Sequence, residues 1–244
     1  ACRFNAEKSI TPGNINMTSH ILPPAFDRVS ALQINKAKKF QSAILCDVFG
    51  RRGTLNARVQ GLNPTMQVAG PAYTVEVRPG DNLMFHVALA LAQPGDVIIV
   101  DGKGDDTCAL FGELMVAQAE AAGLGGFVVD AACRDTDTLA NGKFPIFAAG
   151  RNPCGPTKGL HGTIGKPVSV AGVAVQPGDL VLGDADGVVV IPRMEVDKVL
   201  IAAEKKLADE KIRLEEIARG ELVSPWLGDT LKAAGLPPLF IPTL

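Results

Sequence analysis

The chain has 244 residues, enough for one sizeable hydrophobic core. Its 47 % apolar content, 26 glycines and 5 % aromatics suit an α/β protein rich in tight turns and exclude disorder across the whole chain. A net charge of −2 with interspersed signs leaves no footprint for nucleic acid, and five scattered cysteines without a C-x-x-C pair argue against a disulfide framework or structural zinc.

Residues 1–28 contain "ILPPAF", whose paired prolines forbid a regular helix and predict an arm lying on the surface or on a neighbour. The opening residues lack the apolar segment of a signal peptide, and no run of about 18 apolar residues exists to span a bilayer. The expectation is a soluble cytoplasmic protein with no membrane partner.

From Val29 to Phe49 apolar residues recur at helical spacing until "GRRG" stops the pattern, so one or two short helices come first. Pro-Gly-Asp triplets at Pro79, Pro94 and Pro177 read as turns, the last two leading into the strand-like runs "VIIV" and "LVLG". Between these two lies strand "DVIIVD", loop "GKGDDTCAL", helix "FGELMVAQAEAAG" and strand "GGFVVDAA", a βαβ unit with parallel strands. Residues 166–192 alternate and turn like several strands, and "GDADG" within them reads as a hairpin rather than a calcium loop. Residues 195–219 carry the longest helical pattern, followed by a short segment around "SPWLGDTLKAAGL". The fold class is α/β, with an arm at 1–28, a domain at 29–194 and a helical extension at 195–244.

Ligands of α/β sheets gather outside the carboxyl ends of parallel strands, here Asp101 and residues 130–135. The intervening helix starts near Gly112, and the amides of Glu113, Leu114 and Met115 have no partners within it, a place suited to a carboxylate. The planar fork of Arg134 can hold a carboxylate or an enolate oxygen. Asp135 is a hard oxygen ligand of the kind Mg²⁺ accepts, and Glu113 and Asp135 could flank one hydrated ion. The plainer alternative is a solvated Arg-Asp surface pair with Glu113 as a favourable first-turn charge.

The seam of the last long helix runs Val196, Leu200, Ala203, Leu207, Glu210, Leu214, Ile217, so a charge stands where the spacing predicts a leucine. Helical drift could put Lys211 there instead. Such a charge is a wet edge or reaches into a site on another subunit. His86 sits in an apolar helical pattern, no H-x-x-x-H pair exists, and neither a dinucleotide fingerprint nor a G-K-[ST] loop is present, which disfavours zinc catalysis, a Rossmann cofactor and ATP. Cys133 reads as a buried structural thiol.

Glu113, twenty residues, then Arg134-Asp135 resembles the signature of the 4-hydroxy-4-methyl-2-oxoglutarate aldolase family, which also contains the regulator of ribonuclease activity A. "CDVFGRRG", "PGDVIIVDGKGD" and "PGDLVLGDADGVVVIP" match it too, and the similarity covers about residues 30–235. The resemblance implies a swivelling β/β/α-type domain assembled as a homotrimer or homohexamer, with sites between subunits. It implies that Asp135 binds Mg²⁺ or Mn²⁺, that Arg134 holds the pyruvyl group, and that Glu113 orders metal-bound water. The helix start at Gly112, with the amides of Leu114 and Met115, would bind the substrate carboxylate. A glutamate from a neighbour's last helix would complete the site, Glu210 matching best and Glu204 second. The implied activity is a class II pyruvate aldolase. Its substrates would be 4-hydroxy-4-methyl-2-oxoglutarate or 4-carboxy-4-hydroxy-2-oxoadipate, cleaved to pyruvate and a keto acid, with oxaloacetate decarboxylation as a side activity. The alternative is a non-enzymatic regulator that docks on a ribonuclease partner; that branch lacks the extended helix. Ala131, Ala132 and Cys133 depart from the family pattern and bear on substrate size.

Overall fold

Runs of valine and isoleucine too apolar to face water build the centre of the molecule, and turns of fixed chemistry separate them. The computed structural model describes Ile21 and residues 23–239. In chain order the elements are α1 (Ala31–Ala37), α2 (Ser42–Val48), β1 (Gln60–Gly61), β2 (Val68–Glu76), α3 (Leu83–Leu91), β3 (Val97–Phe111), α4 (Glu113–Ala121), β4 (Gly126–Cys133), α5 (Thr136–Asn141) and β5 (Ile146–Arg151). There follow β6 (Thr163–Ile164), β7 (Val168–Val170), β8 (Val173–Val175), β9 (Leu180–Asp184), β10 (Gly187–Ile191), α6 (Val196–Ala218) and α7 (Leu227–Ala233).

The main sheet runs β1-β5-β4-β3-β2-β9-β10, with β6 added to β2. β2, β3, β4 and β5 are mutually parallel, while β9, β10, β1 and β6 join antiparallel. Every residue of β4 is buried, as expected of a parallel strand covered on both faces. The sheet curls enough that Phe147, Val68 and Val188, from three strands, each approach to 3.0 Å of where a Cβ on Gly183 would stand. Phe85, Phe111, Phe127 and Phe144 meet edge to face with centroids 4.9–5.7 Å apart. A second apolar cluster joins α1 and α2, one side of β9 and β10, and the first half of α6.

The expected βαβ unit is present as β3, α4 and β4. Its expected loop, residues 102–110, is instead a continuation of β3 that follows β4 through three register shifts. Left-handed backbone at Lys103 and Gly104 lets the chain make this excursion and return to the ladder.

All three Pro-Gly-Asp triplets close turns with Gly at positive φ, the aspartate amide reaching the carbonyl three residues earlier. Asp96 and Asp179 also accept from the amides of Gln93 and Gln176, completing their turns. Asp81 does otherwise: it accepts from the amides of Leu83, Gly159 and Leu160 and from the Thr157 hydroxyl, pinning the start of α3 to the 157–160 loop. The "GDADG" hairpin has a structural task as well. Asp184 receives both the amide (2.7 Å) and the hydroxyl (2.6 Å) of Ser42, the first residue of α2.

The last part of the expected arm lies on the domain. Phe26 packs on Tyr73 at 5.8 Å, and Arg28 grips Asp96 with two hydrogen bonds of 2.7 and 2.8 Å. Residues 1–20, residue 22 and residues 240–244, including the remainder of that arm, lie outside the described residues. Because Asp96 is fully buried, Arg28→Met leaves a carboxylate in the interior with only the Gln93 amide. The expected cost is about 3 kcal/mol of unfolding free energy, measurable by urea denaturation. A change below about 1 kcal/mol would show the pair to be dispensable.

No helix among the described residues is long and apolar enough to cross a membrane.

Candidate active site

β3, β4 and β5 deliver their carboxyl ends to one edge of the sheet, where the chain leaves the hydrophobic interior. The Arg134 amide bonds the Phe111 carbonyl (3.1 Å) and the Asn152 amide bonds the Cys133 carbonyl (3.0 Å), so the three ends are cross-linked. Directly after β4, Asp135 adopts the left-handed conformation (φ 57°, ψ 32°) and begins α5. Aspartate is among the few residues that tolerate this region.

The turn aims the Asp135 carboxylate at the start of α4. Its Oδ2 accepts from the Glu113 amide at 2.9 Å, satisfying one of the helix's open donors. The Arg134 guanidinium lies beside it with Nε 4.0 Å from Oδ2, and both side chains stay nearly half exposed. Space for this arrangement comes from glycines. A Cβ on Gly112 would overlap Asp135 Oδ2 and come within 3.1 Å of Arg134 Cγ, and one on Gly155 would come within 2.9 Å of Arg134 Nη1. Gly112 has φ −154°, open to any residue, so volume rather than torsion demands glycine there.

Of the three amides left open by sequence, one remains. Glu113 N is taken by Asp135, and Met115 N bonds the Gly112 carbonyl (3.2 Å) because the first turn tightens. Among the described residues only the Leu114 amide of the three has no partner, which revises the expected pairing of Leu114 with Met115. The Leu114 side chain is 87 % exposed, an unusual place for a large aliphatic group.

Gly112, Glu113, Leu114, Arg134 and Asp135 therefore meet at one strand-helix junction. Beside them Cys133, Arg134, Asp135, Thr136 and Arg151 line a cleft of about 400 Å³. Burial pushes the Cys133 thiol up to about 11, against the nearby Arg151 charge, which keeps it in the un-ionised form near neutral pH.

Glu210 lies elsewhere in the chain, away from this junction. It is exposed on α6, held by Lys206 Nζ at 3.2 Å, beside an apolar groove of about 560 Å³ that also includes Glu204 and Leu207. Only Val196, Val199, Leu200 and Ala203 of the helix are buried, on the α1 and α2 layer. Beyond them α6 outruns its platform, leaving Leu207, Leu214 and Ile217 46 %, 67 % and 43 % exposed.

Asn82 was not singled out by its sequence. It is buried, donates Nδ2 to the Leu110 carbonyl (2.7 Å) and to Met115 Sδ (3.5 Å), and keeps Oδ1 buried with no donor. The one available signal was that the first Pro-Gly-Asp triplet runs on into a helix rather than a strand.

Among the described residues no group of three or more His, Cys, Asp or Glu side chains is placed to hold a metal ion by itself. One carboxylate with an unengaged Oδ1, Asp135, and a second acid at Glu113 suit an ion such as Mg²⁺ that keeps most of its waters and takes further oxygens from a ligand.

Residues 42–190 match the RraA-like family model, described as Aldolase/RraA. The chain belongs to the RraA-like family. A relative from Halalkalibacterium halodurans named "Putative 4-hydroxy-4-methyl-2-oxoglutarate aldolase" is 40 % identical over 185 residues, 76 % of this chain and 88 % of that protein. The crystal structure of Streptomyces coelicolor RraAS2, described as an unusual member of the RNase ES inhibitor RraA family, superposes with TM-score 0.68 at 27 % identity, covering 80 % of this chain and all of that one. The RNA-processing inhibitor RraA from Thermus thermophilis gives TM-score 0.58 at 29 % identity over 63 % of this chain and 93 % of its own. The mixed α/β fold with a long C-terminal helix is that of the RraA-like family.

Proposed function

We propose that this RraA-like protein is a divalent-metal-dependent lyase. It cleaves branched 4-hydroxy-2-oxo diacids, of the 4-hydroxy-4-methyl-2-oxoglutarate or 4-carboxy-4-hydroxy-2-oxoadipate type, to pyruvate and a second keto acid. The observation that supports this reading is the junction itself, where the Asp135 carboxylate meets the Glu113 amide at 2.9 Å with the Arg134 guanidinium beside it and the unpartnered Leu114 amide next along the helix start. The aldolase name of the relative points the same way.

Mg²⁺ or Mn²⁺, held by Asp135 with Glu113 alongside, would polarise the keto group of the bound 2-oxo acid. The Leu114 amide, at the positive end of α4, binds the carboxylate of that acid. Arg134 donates to the keto oxygen. Glu113, solvent-facing in the first turn, accepts the proton of the distal hydroxyl, directly or through water. As that O–H bond is lost a carbonyl forms, the C–C bond breaks, and its electron pair passes to the keto oxygen. The resulting enolate charge faces the Arg134 fork, placed there before reaction by Gly112 and Gly155. A proton returned to the terminal carbon gives pyruvate. Oxaloacetate decarboxylation passes through the same enolate. We place the site between copies of a trimer or hexamer, Glu210 from a second copy closing it, Glu204 being the next choice; the bare Leu114 and the unburied half of α6 supply apolar surface for that contact.

Pyruvate release coupled to lactate dehydrogenase tests this reading, with 4-hydroxy-4-methyl-2-oxoglutarate and oxaloacetate as substrates. Release is expected from both with Mg²⁺, and loss to background with excess chelator. Silence on both from a folded oligomer would favour the second reading, a docking regulator of ribonuclease activity. That reading draws on the RraA structures, whose fold is shared.

A further inference from the structure

Arg151 is a cation in the cleft that the chemistry above does not use. It is the last residue of β5 and pairs in register with Cys133, the last residue of β4, so its backbone lies one strand spacing, about 4.8 Å, from the residue that precedes Arg134. Six other arginines, Arg28, Arg58, Arg134, Arg193, Arg213 and Arg219, have carboxylate partners within 4.0 Å, and Arg51, Arg52 and Arg78, which have none among the described residues, do not line the cleft. Arg151 has none among the described residues, although it faces the same cleft as a second guanidinium.

Its neighbour Asn152 is fully engaged: Oδ1 accepts from the Cys154 amide and Nδ2 donates to the Asp106 carbonyl, both at 2.8 Å. Asn152 thus ties the strand end to the neighbouring loop and is not a partner for the Arg151 guanidinium, which lines the cleft. Two like charges sharing one cleft repel each other until an anion enters between or across them.

Strand order tells which end of the substrate comes here. α4 follows β3, and β4 stands between β3 and β5. A molecule with its keto acid at the α4 start and its reacting carbons over Arg134 and Asp135 therefore extends toward the end of β5. We propose that Arg151 is the specificity-determining residue of the site: it takes the carboxylate distal to the keto acid, selecting diacids over 4-hydroxy-2-oxo acids with a neutral far end. The direction of the substrate rests on the lyase reading; the presence of an anion-selective group does not.

The test is calorimetric binding, in saturating Mg²⁺, of 2-oxoglutarate and 2-oxopentanoate, equal in chain length and different only in the distal carboxylate. The native protein is expected to bind the diacid about tenfold more tightly, Arg151→Met to erase the difference, and Arg151→Lys to keep part of it. Arg151 is exposed, so folding is not at stake in either variant. Equal affinity of the native protein for the two acids, or a preference that survives Arg151→Met, overturns the proposal. In turnover, Arg151→Met is expected to lower kcat/KM about tenfold for 4-hydroxy-4-methyl-2-oxoglutarate and to leave 4-hydroxy-2-oxopentanoate unchanged; an equal fall on both overturns it too. A binding preference that depends on Arg151, with no pyruvate from any substrate, would uphold the anion site and remove the lyase reading.

Discussion

Asp135→Asn is expected to lower pyruvate release about 10³-fold, the upper end of what one electrostatic group in a preorganised site contributes. The substitution keeps what the backbone needs. Asparagine tolerates the left-handed conformation at φ 57°, and its side-chain oxygen can still accept from the Glu113 amide. It removes the negative charge alone, and with it the anionic oxygen by which the proposed divalent cation would be held. Urea or thermal unfolding should therefore change little while turnover collapses. Asp135→Ala separates the two roles: it adds left-handed strain of about 1 kcal/mol and strips the cap from α4, so it should cost stability as well as activity. If Asp135→Asn retained turnover within a few-fold of the native protein, the junction would not be a metal-dependent active site.

Gly112→Ala is expected to cost about 10²-fold in kcat, by displacement rather than by loss of any functional group. The added methyl would occupy the position of Asp135 Oδ2 and crowd Arg134 Cγ, so the carboxylate and the guanidinium must both move. Backbone strain does not enter, since φ −154° suits alanine as well as glycine. The signature is thus a large effect on kcat with a small effect on unfolding free energy. Native-like kcat in a Gly112→Ala protein would mean that the close seating of Asp135 against α4 is irrelevant to the chemistry.

Much of this was legible in local pattern. The run Phe127–Val129 had to be buried, and its abrupt ending in Arg134-Asp135 marked a strand end with two charges to place. The three Pro-Gly-Asp triplets prescribe their own torsions, and the turns formed as that chemistry requires. Helical spacing located α4 and α6 to within a residue or two.

Other features belong to no local pattern. Residues 102–110 read as a loop because glycine and aspartate break strand periodicity, yet pairing with β4 holds them as an irregular strand. Leu207, Leu214 and Ile217 continue an apolar seam, but whether a seam is buried depends on how far the layer beneath it extends. The Met115 amide was lost to a tightened first turn, which no residue type announces.

The sequence by itself determined most of the elements and the turn chemistry, because periodicity and side-chain chemistry act within a few residues along the chain, and it marked Glu113, Arg134 and Asp135 as candidates through a family resemblance. Tertiary structure alone decided that Gly112 must lack a side chain, that Asn82 reaches α4, and that Arg151 stands beside Arg134. Each of these depends on strand register and helix placement, which bring together residues far apart in sequence and so leave no trace in the spacing of either.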